Sequence, residues 1–345
     1  MPDPLEITRR HGDERALATG AVLLAMLYPF FLKAYSAAAH AGGAWWWLAA
    51  LMLAAAFAAP ACGFLAAWRI GRRPLSQRGQ LTAKRIALAT IASPPIFTMF
   101  GVLLYMAGDP VADTTVWLAA WLQVLAVGWV ACGSKARLDL SPPAVSARLR
   151  AAHGGSALTI IVLFLAMHLS NHLSGLMSEA THRQLMDLFR LVYRARLVEP
   201  LIVLLFLFQV ASGLELLRRH TMRPADFFRT LQIASGAYLV FFILGHMNSV
   251  FIYARTFAHI QTDWNFAVGA PTGLLNDAWN IRLLPHYYLG VFLVLAHLTL
   301  GARVVALAHG AQRARADGYA KAGIAAAAVI ALAIMLGMVG VHFAT

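Results

Sequence analysis

About nine stretches of this chain run for roughly 20 residues or more with hardly a charged side chain, the length a bilayer's hydrocarbon core demands of a helix. They fall near 16–35, 43–68, 86–107, 115–134, 154–176, 198–217, 231–253, 284–308 and 322–344. Inside hydrocarbon every backbone N–H and C=O must find its partner within the protein, so only helices and closed barrels cross. A spanning strand needs only about 10 residues, so runs of this length argue for helices. Composition agrees, with 60% hydrophobic and 12% charged residues, where soluble domains carry about 25% charged residues. The fold expected is therefore all-α: a polytopic membrane protein of about nine transmembrane helices. Residues 1–15 (MPDPLEITRRHGDER) are polar, so no cleavable signal peptide is expected ahead of the first apolar run.

The net charge of +13 invites a nucleic-acid reading. Topology explains it without one. Arg9, Arg10 and Arg15 precede the first span, loop 69–85 holds six Lys/Arg, and loops 135–153, 218–230 and 303–321 hold four each. These all belong to one face, which the positive-inside rule assigns to the cytoplasm. The expected location is a bacterial-type inner (plasma) membrane, with the N-terminus cytoplasmic and the C-terminus outside. Pro60, Pro94 and Pro95 should kink the second and third helices, and Trp45, Trp46 and Trp47 read as an interfacial belt. Two lone cysteines, Cys62 and Cys132, exclude a Cys-rich metal or iron–sulphur site.

One outer loop departs from the charge pattern. Segment 177–197 carries Arg183, Arg190, Arg194 and Arg196, with Leu185, Leu188, Phe189 and Val192 at helical spacing. This predicts an amphipathic surface helix, read either as a solvated lid or as a source of arginines that neutralise an acidic ligand group.

The chain divides by chemistry into 1–150, a four-helix membrane region without notable embedded ionisable residues, and 151–345, a five-helix region that holds them. His168 and His172 lie in the fifth helix, His246 in the seventh, and His286 and His297 in the eighth. Imidazoles in hydrocarbon are expensive, which makes such a set a functional candidate. At about 1.5 Å per residue, His168 lies about 12 Å and His246 about 10 Å from the outer surface, whereas His297 lies about 19 Å deep, with Gln209 its closest polar neighbour in depth. Two neutral imidazoles at one depth on different helices suit bis-histidine haem ligation. Zinc is less suited, because no acidic or Cys partner lies at either depth. Ser235-Gly236 and Ser212-Gly213 are small enough for a flat cofactor or for plain helix packing.

With those residues in view, 154–345 resembles the five-helix, di-haem cytochrome b membrane subunit of succinate:quinone and fumarate:quinone reductases. The resemblance is carried by IIVLFLAMHLSNHLSGL, VEPLIVLLFLFQVASGLELL, LQIASGAYLVFFILGH and LLPHYYLGVFLVLAHLTLGA in order, with WNF at 264–266. It implies His168 and His246 as the axial metal ligands of an outer haem b and His297 as one ligand of an inner haem. The inner partner position is occupied by Gln209, so one haem is expected rather than two. Arg190 and Arg194 are candidates for the haem propionates, and Ser235 and Gly236 for cofactor packing. Quinone chemistry needs proton donors beside the redox centre, and His172, His286, Tyr287 and Arg255 are placed to serve.

The function expected is a membrane b-type cytochrome, a quinone-linked oxidoreductase component passing electrons to or from quinone. Its partners would be the lipid bilayer, quinone and redox subunits, with no nucleic acid. The competing class is a haem-free transporter or assembly factor that keeps the fold and reuses its histidines. An absorbance spectrum separates the two.

Overall fold

The computed structural model describes residues 4–138, 144 and 146–343, with backbone only over 4–12. Residues 139–143 and 145 of the expected 135–153 loop, and 344 of the last expected span, lie outside the described residues. The protein is all-helical. Among the described residues the only extended pairing is an isolated bridge between Gln77 and Arg137. Among the described residues eight helices are long and apolar enough to cross a membrane, and one bent pair passes the same test when taken together.

The first helices are α1 (Pro4–Ala41), α2 (Trp46–Gly71), α3 (Arg78–Ile91), α4 (Ser93–Met106) and α5 (Asp113–Cys132). The predicted third span is the pair α3 and α4, bent by 62° at Ala92. Pro94 and Pro95 cause the break: neither supplies an N–H to continue α3, whereas both fit the first turn of α4, where no intrahelical partner is needed. Pro60, by contrast, sits inside an α2 that remains one element. Trp45, Trp46 and Trp47 at the head of α2 are all exposed, as an interfacial belt requires.

The chain continues with α6 (Ala147–Ser174), α7 (Glu179–Tyr193), α8 (Val198–His220), α9 (Phe227–Phe257), α10 (Asn280–Ala308) and α11 (Arg313–Met338). Ser146 caps α6 by accepting from the Leu149 N–H, so this helix begins well before the 154 expected from hydropathy. Wide i→i+5 turns interrupt α6 at Ile161–Leu165 and close α9 over Asn248–Phe257. The last helix starts and ends earlier than the predicted 322–344, and Gly340, at φ +95°, terminates the turn that follows it. The predicted surface helix is present as α7, capped by Ser178. Against the protein it buries His182 and Met186, while Leu188 and Val192 of the apolar stripe are exposed.

The chain forms two compact units, one of residues 1–144 and 217–249, the other of 145–216 and 250–345. In the first, Trp117 is fully buried and meets Phe97, Trp121 and Tyr28 at ring separations of 5.4, 5.5 and 6.3 Å, with its indole N–H donating to the Ala25 carbonyl at 3.0 Å. Gly63 brings α2 close to α3, where a Cβ would stand 2.9 Å from the Ala87 carbonyl oxygen. In the second unit the core is Trp264, Leu274, Leu283, Ile334, Met335 and Met338. There α6 buries only Ile160 and Asn171 along its length.

Candidate functional site

The ionisable residues of the second unit gather in three places. The first is at the start of α6, where the ring centres of His153 and His297 are 6.5 Å apart with planes at 74°. His153 Nδ1 lies 2.8 Å from Ser212 Oγ, whose own O–H donates to the Phe208 carbonyl at 2.6 Å. A hydroxyl has one proton. With that proton committed to Phe208, the Ser212 oxygen must accept, so His153 carries its hydrogen on Nδ1 and its lone pair on Nε2. Gln209 holds the same turn: its amide donates to the His153 carbonyl at 2.8 Å and to Ser156 Oγ at 2.6 Å. Gln209 thus braces α6 against α8, and the ring beside His297 belongs to His153. Ser212, expected as a small packing residue, is the acceptor that sets the His153 tautomer.

Second is a row of rings at the α7 end of the unit. Phe164 stacks on His168 at 4.7 Å, His168 meets His172 at 4.7 Å, and His172 meets His182 at 5.4 Å. The row continues through Trp264, 4.5 Å from His182, to His342 a further 6.3 Å on. The i, i+4 spacing places His168 and His172 on one helix face, as the sequence implied. His182 Nε2 pairs with the Asn171 amide at 3.1 Å, and its Nδ1 has no hydrogen-bond partner. Burial, reinforced by the Arg190 guanidinium, pushes the His182 pKa down to about 4. The ring is neutral at ordinary pH. At the head of α10, His286 is buried with its ring 5.4 Å from Tyr287, and Tyr287 packs on the Trp264 core.

The third is an open cleft of about 510 Å³ lined by Arg190, Arg194, Glu199, Arg255 and residues 259–262. Arg190 donates to the Thr262 carbonyl at 2.8 Å and Arg194 to Thr262 Oγ1 at 2.7 Å. Arg255 pairs with Glu199 at 2.8 Å. Burial, then the charges of Arg190 and Arg255, lower the Arg194 pKa. Burial raises that of Tyr193 despite the arginines around it. Arg255, expected beside a quinone, is a member of this cationic cluster.

Of the remaining predicted residues, His246, Ser235 and Gly236 belong to the first unit. His246 stacks on Phe242 at 5.6 Å, and the Ser235 hydroxyl donates to the Gln232 carbonyl at 3.0 Å. His168 and His246 therefore fall in different compact units. Sequence reasoning missed His153 and His182. His153 follows Arg148 and Arg150 and reads as loop. The signal that could have found it is the capping serine at 146, which moves the helix start ahead of it. Among the described residues no group of three or more His, Cys, Asp or Glu is arranged to hold a metal ion. No family model, curated relative or solved structure matches the chain.

Proposed function

We propose that this membrane protein is a b-type cytochrome that passes electrons to or from quinone, with His153 and His297 as the residues that would hold a haem. The observation that carries the proposal is the His153 ring, held at Nδ1 against Ser212 and set 6.5 Å centre to centre from His297. A metal–imidazole bond is about 2 Å and a ring nitrogen lies about 1 Å from its ring centre, so two imidazoles on opposite faces of one metal have centres roughly 6 Å apart. The Nδ1–H donor bond to Ser212 is the outer contact that fixes tautomer and ring orientation in metal-bound histidines. A haem bound there would supply one-electron chemistry, and the protein's part is to position and tune it.

His168 and His246, the pair the resemblance offers, are not needed for this assignment. With the expected orientation, the His153 pair stands toward the cytoplasmic side rather than the outer one. The quinone half of the proposal rests on His168 and His172, imidazoles on one helix face at the opposite end of the same unit, with the neutral His182 ring packed beside His172.

The test is the spectrum of the full chain purified from cells supplied with haem precursor. A sharp reduced α-band of low-spin haem b is expected, lost in His153→Ala and in His297→Ala and retained in His309→Ala, a change at the exposed histidine just past the end of α10. A preparation with no haem signal, or one whose signal survives both substitutions in folded protein, overturns the assignment and favours the haem-free class.

A further inference from the structure

The arginine cleft is unused by the proposed electron-transfer role, and its chemistry points elsewhere. Three guanidinium groups converge on one open space from α7, its C-terminal extension and residue 255, against one paired carboxylate, Glu199. Asp187 stands 4.0 Å from Arg190 but is 76% exposed, so solvent screens it. The Nε–H groups of both Arg190 and Arg194 are buried and face no acceptor in the protein. Guanidinium forks match the oxygens of phosphate and carboxylate groups better than an ammonium does.

The surroundings select the source of that anion. Leu188, Leu191 and Leu197 alternate in sequence with the arginines and are 57%, 75% and 83% exposed. Bare leucines interleaved with arginines on a surface helix at the end of several spans are the signature of a segment seated among lipid headgroups. We infer that Arg190, Arg194 and Arg255 form a binding site for the phosphate of an anionic lipid, whose acyl chains lie along the exposed leucines. The site is independent of haem, so its failure and that of the cytochrome assignment are separately visible.

The experiment measures binding of phosphatidylglycerol and phosphatidylcholine to the purified full chain in detergent, by native mass spectrometry and by the shift in melting temperature. Phosphatidylglycerol is expected to be retained in preference to phosphatidylcholine. Arg194→Gln and Arg190→Gln should each weaken it about fivefold, the loss of one interfacial cation. Arg196→Gln, on an exposed arginine outside the cleft, should leave retention unchanged. Arg194→Lys keeps the charge without the fork and is expected to fall between; it is the variant read if the glutamine form does not fold. Inorganic phosphate at millimolar concentration should not displace the lipid. Unchanged lipid retention in both cleft variants overturns the proposal. So does displacement by inorganic phosphate, which would make the ligand a soluble anion, or loss of haem signal with lipid retention intact, which would assign the arginines to haem propionates.

Discussion

Two regions, the α3–α4 break of the first compact unit and the start of α6 in the second, use buried hydroxyls differently. At the break the hydroxyls return to their own chain turn: Thr90 donates to Ala87, Ser93 to Thr90 and Thr98 to Pro94, at 2.8, 2.6 and 2.9 Å. Even Lys84, fully buried, ends on a backbone carbonyl, that of Arg223, at 2.9 Å. In residues 145–216 with 250–345, polar side chains reach other elements: His153 to Ser212, Gln209 to Ser156, Asn171 to His182, Arg194 to Thr262, and Arg303 to Asp317. A hydroxyl whose only bond lies within its own turn positions no other side chain. One that also meets a side chain on another element, as Ser212 meets His153, fixes that partner, which a binding site requires. The α3–α4 break is therefore packing, whereas the start of α6 carries a candidate site.

Three measurements put that contrast at risk. The largest effect is expected from the scaffold's aromatic centre. Trp117→Ala removes a fully buried indole and leaves the Ala25 carbonyl unpaired, and should destabilise the protein by about 3–5 kcal/mol in mixed-micelle unfolding. Haem content per folded molecule should not change. A selective loss of haem in this variant would mean that the first unit takes part in the site.

Next is pH. His182 has its folded pKa depressed to about 4, so the folded state holds the ring neutral. The stability this contributes is fully present above the unfolded value of about 6.5 and is lost as pH falls from there toward 4, where the folded ring also protonates. The loss amounts to at most about 3 kcal/mol. Melting temperature measured from pH 7.5 down to 4.5 should fall across that window and flatten in His182→Gln. An equal slope in the variant would remove His182 as the cause.

The smallest effect separates the two kinds of hydroxyl directly. Thr98→Val deletes a bond within one helix and should cost under about 1 kcal/mol. Ser212→Ala strands the His153 Nδ1–H and should cost about 1–3 kcal/mol. It should also lower haem occupancy, because the tautomer is no longer held. Equal effects in the two variants would erase the distinction between the two regions.

Much of the fold is legible in the amino-acid sequence. The membrane class and the helical spans follow from apolar run length, and the bend at Ala92 follows from Pro94 and Pro95. The presence of α7 is legible from its helical spacing, but not its buried face. The stripe marks the face a surface helix turns to lipid, where an exposed Leu188 or Val192 costs nothing, and leaves open that His182 and Met186 take the protein side. His153 is hidden for a related reason. Hydropathy marks where apolar residues begin, and a helix capped by Ser146 extends past that point into charged sequence.

The features readable from the chain alone are those that depend on local properties: which segments exceed a bilayer's thickness, where proline interrupts a helix, which residue types are too polar for hydrocarbon to be accidental. Which of those polar residues meet is a matter of tertiary packing. Arg190, Arg194 and Arg255 come from segments some 60 residues apart, and Ser212 settles the tautomer of a histidine on another helix. Such encounters depend on crossing geometry and rotation about each helix axis, which are set by packing between helices and leave no mark in the spacing along any one of them.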